Sequence, residues 1–106
     1  RAAGVPRVSY RNRKLLDLAY QFPCMLQLPG CEGGDAGEPA HANSARQGKG
    51  GAMKAHDCFH VPACRACHVR MDQGGQMTRD ERREAWEDAF WRYLPMLWES
   101  GLIRVA

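Results

Sequence analysis

Apolar residues at helical spacing open and close this chain, and short segments bounded by turn formers occupy its middle. Leu15, Leu16, Leu18, Ala19 and Phe22 give residues 11–22 one apolar face, which predicts a short helix. Pro23 ends it just before Cys24. Pro29-Gly30, Gly33-Gly34, Gly37 and Pro39 crowd residues 24–40, so this part reads as a knuckle and a loop entering a short strand near His41. Residues 43–54 are glycine-rich with little that is apolar, and read as an exposed loop. Residues 58–63 predict a second short strand. A helix is expected just after Cys64, carrying His68 and Asp72 and stopping at Gly74-Gly75.

Thr78-Arg79-Asp80-Glu81 is a capping box, with a hydroxyl N-cap and a carboxylate three positions on. The helix it opens should be the longest. Trp86, Phe90, Tyr93 and Leu97 recur at helical spacing and should face the core. Pro95 has no N–H and is expected to kink or break that helix around Trp91 to Leu94. Gly101 is its expected C-terminal stop. There is no internal repeat, so residues 1–106 read as one α+β domain with residues 1–10 as a flexible arm.

A chain of 106 residues buries a modest share of its surface, and a metal staple would stabilise it. No apolar run approaches the roughly 18 residues needed to span a bilayer. The basic stretch Arg1 to Arg13 lacks the apolar stretch of a secretory signal, so a cytoplasmic protein is expected. Net charge is +3, a mild excess that permits nucleic-acid binding without demanding it. Its distribution is more pointed. Arg46, Lys49, Lys54, Arg65 and Arg70 face a single acid, Asp57, between residues 41 and 70, whereas the acids concentrate from Asp72 to Glu99.

Cys24 and Cys31 form one pair and Cys64 and Cys67 another, with His68 immediately after. Five cysteines is an odd count, and no export signal accompanies them, which favours metal over disulfides. Four thiolates at these spacings can close a tetrahedral structural zinc site. A redox dithiol at Cys64/Cys67 is the competing reading. Cys58 is left over and reads as a small buried hydrophobe. His68 and Asp72 are four apart and share a helical face, where they form either a surface contact or a half-site for a divalent metal. His41, on a strand before a basic glycine-rich loop, is either a structural histidine or a general base.

The order of these features resembles the HNH nucleases, also called His-Me finger or ββα-metal nucleases. Within them it is similar to the small prophage-encoded nucleases of the YbcO type. The matching segments are Pro39-Ala40-His41-Ala42-Asn43-Ser44, Lys54-Ala55-His56-Asp57, Cys64-Arg65-Ala66-Cys67-His68 and Asp72-Gln73-Gly74, with Leu97-Trp98-Glu99-Ser100-Gly101-Leu102-Ile103 beyond them. The resemblance implies a small ββα-metal core with a structural zinc knuckle, flanked by N- and C-terminal helices. It implies that His41 is the general base and that Asp57 orients the loop and the base. Cys24, Cys31, Cys64 and Cys67 match the zinc knuckles, His68 matches the metal-binding histidine, and Asp72 sits where many members have a second one. Ala40 occupies a position where many members carry a metal ligand, leaving a third ligand to come from His41, His56, Asp57 or water. Asp57 also lies two residues further from the knuckle than the family's usual Asn.

The expected activity is hydrolysis of nucleic-acid phosphodiesters, most readily DNA, by an enzyme of phage or prophage descent. A divalent cation on His68 and Asp72, Mg²⁺ or Mn²⁺ by the carboxylate's preference, would act beside His41. Arg46, Lys49 and Lys54 would contact phosphates. Two other readings need fewer of these residues. A non-catalytic zinc ribbon that binds nucleic acid needs only the cysteines and the basic loop. A protein-interaction adaptor would need Trp86, Trp91 and Trp98 exposed, whereas helical spacing places most of them in the core.

Overall fold

Asn12 starts the first helix by taking an extended conformation and accepting the Leu15 N–H on its side chain at 3.2 Å. In the computed structural model, which describes residues 10–33, 37–43, 54–73 and 77–103, this helix, α1, spans Arg13–Asp17. It then tightens into a 3₁₀ turn at Leu18–Gln21. The single helix expected over residues 11–22 is thus shorter and mixed, because Pro23 forces Phe22 into the extended region (φ −123, ψ 151) and the last turn closes early.

Two short strands pair antiparallel, β1 (Glu38–His41) and β2 (His60–Ala63), with Glu38 opposite Ala63 and His41 opposite His60. Pro39 lies opposite Pro62, a pairing open to two residues without N–H groups if their polar atoms point away from each other. The Pro62 carbonyl does point outward, accepting the Met25 N–H at 2.9 Å. Gly37 is the point of closest approach, since a Cβ there would stand 2.8 Å from the Ala63 nitrogen. The second strand begins at His60 rather than residue 58, because the chain turns back at His56–Phe59.

Helix α2 (Arg65–Gln73) follows β2 after one residue, Cys64. Helix α3 (Arg79–Glu99) opens on the capping box, with both reciprocal hydrogen bonds formed between Thr78 and Glu81. It ends at Gly101, whose φ of +77 suits glycine. It runs unbroken through Pro95. Pro95 is on the solvent side, as is Trp91, whose carbonyl would have received the missing N–H, so water can satisfy it. Trp86, Ala89, Tyr93 and Leu97 are the buried stripe, with Phe90 half-buried and stacked on Trp86 at 5.1 Å. Trp91 and Trp98 lie off that stripe and are 68% and 48% exposed, so only Trp86 is in the core where most of the three tryptophans were expected. A helix resting one side on a small sheet can bury only one stripe.

The core joins α1, the sheet and α3 through Leu15, Ala19, Val61, Trp86, Tyr93 and Leu97. The molecule is therefore a small α+β structure with a two-stranded sheet and three α-helices among the described residues. No helix among them is long and apolar enough to cross a membrane. Residues 1–9 of the expected arm, the loop at residues 44–53 and the Gly74-Gly75 stop lie outside the described residues.

Candidate active site

Left-handed backbone at three loop positions helps bring the first cysteine pair to the second. Gln27 has φ +51, Gly30 φ +87 and Gly33 φ +64, and the Cys31 N–H closes a turn on the Leu28 carbonyl at 2.9 Å. Cys64 immediately follows β2 and Cys67 lies in the first turn of α2. The sulfurs of Cys24, Cys31, Cys64 and Cys67 all lie within 4.8 Å of one another. All four are free thiols, and the Cys31 and Cys64 sulfurs are 3.8 Å apart, far beyond a disulfide bond of about 2.05 Å. A tetrahedral zinc with bonds of about 2.3 Å has sulfur–sulfur edges near ~3.8 Å, so this cluster could hold a zinc ion. Backbone N–H groups of Gln27, Gly33, Glu32 and Cys67 point at the sulfurs from 3.4–3.5 Å. Burial opposes ionisation of Cys64, but the Glu32 and Cys67 amides and neighbouring thiols outweigh it and bring its pKa down to about 7. Cys58 is outside the cluster and half-buried, and burial pushes its thiol up.

His41, the last residue of β1, places Nε2 2.8 Å from Asp57 Oδ1. Asp57 is buried and accepts two further hydrogen bonds, from the Asn12 amide at 2.7 Å and the Arg11 guanidinium at 3.1 Å. Burial works against its charge. The bond from His41, the Asn12 amide and the nearby positive charges outweigh burial and hold the carboxyl below its usual range. An ionised Asp57 has no proton to give, so His41 carries one on Nε2. In the neutral ring, Nδ1 then keeps its lone pair.

His56 and His60 have structural partners. His56 Nδ1 accepts the Tyr10 N–H at 2.8 Å. His60 is fully buried, and burial lowers its pKa to about 4. Its neutral ring donates Nδ1–H to the Asp57 carbonyl at 2.7 Å and accepts the Tyr93 hydroxyl proton on Nε2 at 3.1 Å. Burial raises the Tyr93 pKa, which keeps that proton in place.

His68, one turn into α2, sits between two carboxylates. Its Nδ1 is 2.7 Å from Glu38 Oε1 and its Nε2 3.4 Å from Asp72 Oδ2. Glu38 also meets Arg65 at 3.0 Å. Burial opposes its charge, but His68 and Arg65 outweigh burial and hold the carboxyl below its usual range. Ligand atoms at about 2.0–2.2 Å from one ion lie roughly 3 Å apart, so His68 Nε2 and Asp72 Oδ2 fit a shared divalent cation with little movement. Among the described residues, no third His, Cys, Asp or Glu joins them in a close ligand cluster. Other positions on such an ion would fall to water or substrate oxygens.

His41, His68 and Asp72 line one cleft of about 670 Å³ together with Lys54, Arg13 and Tyr20. Asp57 stands behind His41, and the cysteine cluster is separate. Arg46 and Lys49 lie outside the described residues. Sequence reasoning missed Glu38 and Arg11. Glu38 is three residues from His41, a spacing that puts the two on opposite faces of a strand, so no pattern singled it out. Arg11 reaches across 46 residues to Asp57, and also donates to the Ala55 and Lys54 carbonyls at 2.7 and 3.0 Å. No protein-family model, curated protein or solved structure matches the chain.

Proposed function

We propose that this chain is a metal-dependent endonuclease of the HNH type, hydrolysing nucleic-acid phosphodiesters and most readily those of DNA. One observation carries the reading: His41, backed by Asp57, and the His68–Asp72 pair line the same cleft, apart from the four cysteines. The segment β1, β2 and α2, with its cysteine cluster, is read as a ββα-metal core with a structural zinc. His41, held by Asp57 through Nε2, takes a proton from the attacking water on Nδ1. His68 and Asp72 would hold a Mg²⁺ or Mn²⁺ ion, which when bound neutralises charge on the phosphate and the leaving oxygen. Lys54 and Arg13 stand at the rim where phosphates would pass, and the half-exposed Tyr20 ring offers a face to a base.

His41→Ala tests the proposal. Cleavage of plasmid DNA with Mg²⁺ or Mn²⁺ should fall by at least the roughly 10²–10⁴-fold typical of a general base, while zinc content and folding stay unchanged. Equal metal-dependent nicking by the wild type and the variant would sink the role given to His41. Binding of DNA without cleavage in any divalent metal would favour a zinc-ribbon binding module instead.

A further inference from the structure

The register of the sheet sets Glu38 opposite Ala63, the residue before Cys64, and so brings its carboxylate to the first turns of α2. There Oε1 meets His68 Nδ1 at 2.7 Å and an Arg65 guanidinium nitrogen at 3.0 Å. A carboxylate can only accept, so the shared proton sits on His68 Nδ1. A neutral imidazole that donates from Nδ1 keeps its lone pair on Nε2. Nε2 is the atom that stands 3.4 Å from Asp72 Oδ2.

From these contacts we infer that Glu38 is a positioning residue: it fixes the tautomer and ring orientation of His68 so that Nε2 and Asp72 present a paired half-site for a divalent cation. The inference rests on the proposed cation site and adds to it the carboxylate behind the histidine. Carboxylates placed this way hold a ligating ring in the orientation its metal needs. Strand β1 then carries His41, which lines the cleft, at one end and the carboxylate behind His68 at the other. The Arg65 contact steadies Glu38 but does not touch the ring.

The test titrates the zinc-loaded protein with Mn²⁺ alone, without DNA, and follows free Mn²⁺ by electron paramagnetic resonance. Glu38→Ala should weaken Mn²⁺ binding about 10–100-fold. Glu38→Gln, which keeps an acceptor oxygen and the shape of the side chain, should weaken it less and covers the case where the alanine variant folds poorly. Arg65→Ala, which removes only a support of Glu38, should weaken it less than Glu38→Ala does. Nitrogen-15 shifts of the His68 ring should show Nδ1–H in the wild type and a loss of that preference in Glu38→Ala. Unchanged Mn²⁺ affinity and an unchanged tautomer in both Glu38 variants would reduce Glu38 to a strap between β1 and α2 and overturn the inference. If His68→Ala and Asp72→Ala bind Mn²⁺ as the wild type does, the cation site itself falls, a result separate from the first.

Discussion

Asp57→Asn probes the proposed base and its support with one atom changed. The carboxylate side chain is 5% exposed and accepts from His41 Nε2 at 2.8 Å, the Asn12 amide at 2.7 Å and Arg11 at 3.1 Å. An amide has one oxygen and one NH₂, so it must turn a donor toward one side. The Asn12 N–H cannot reverse, whereas His41 can, by moving its proton from Nε2 to Nδ1. The amide oxygen therefore stays with Asn12 and the NH₂ faces His41. Hydrogen bonds to charged groups are worth about 1.5–3 kcal/mol each. Replacing two of them with neutral ones should cost roughly 2–3 kcal/mol. Arg11 adds at most about 1 kcal/mol, because its side chain is 44% exposed and can turn to water. Activity should fall much further, since Nδ1 then has no lone pair to take a proton; a wrong tautomer in a comparable His–Asp pair costs on the order of 10⁴-fold. Urea denaturation at neutral pH, plasmid nicking and the nitrogen-15 shifts of His41 read the three effects. Cleavage within tenfold of wild type, with the His41 tautomer unchanged, would refute the argument. The pH dependence has a definite sign. The folded pKa of Asp57 is depressed, so the carboxylate's contribution is whole above about pH 4 and is lost as pH falls through the folded value. The stability gap between wild type and Asp57→Asn should therefore narrow in acid.

His60 should make the fold acid-sensitive in a separate window. Its pKa drops from about 6.5 unfolded to about 4 folded, so its contribution is whole above the higher value and declines by about 3 kcal/mol as pH falls to the lower one. Denaturation at several pH values should show that slope in the wild type and lose it in His60→Gln; equal slopes would rule the assignment out. Cys64→Ser should lose zinc by atomic absorption and lower the thermal midpoint sharply, because structural metal binding is coupled to folding. A strong chelator should do the same to the wild type, and retention of full stability after zinc removal would count against a structural role.

Much of the framework was legible along the chain, because local rules set it. The Thr78–Glu81 box starts α3 through bonds three residues apart, Pro23 stops the first helix, and Gly101 ends the last. The cysteine spacing announced a cluster, and the four sulfurs do converge. Helical spacing alone could not sort the tryptophans, since any residue type can occupy the face that finds no partner. Trp86 packs on the sheet, donating to the Ala40 carbonyl at 3.1 Å, while Trp91 and Trp98 point away from it. Pro95 showed the opposite failure: a local breaker was overridden because α3 buries Tyr93 and Leu97 on either side of it.

The sequence by itself singled out the residues that could carry chemistry: four cysteines, His41 with Asp57, and His68 with Asp72 one helical turn on. Tertiary structure alone decided which groups each of them meets. It turned His56 and His60 into structural groups, added Arg11 to the Asp57 that the resemblance had already set beside His41, and set Glu38 against His68 through the strand register. The physical reason is that a histidine's role depends on which nitrogen is already occupied. That partner sits 16 residues away in sequence for His41 and 30 for His68, beyond the reach of any local pattern.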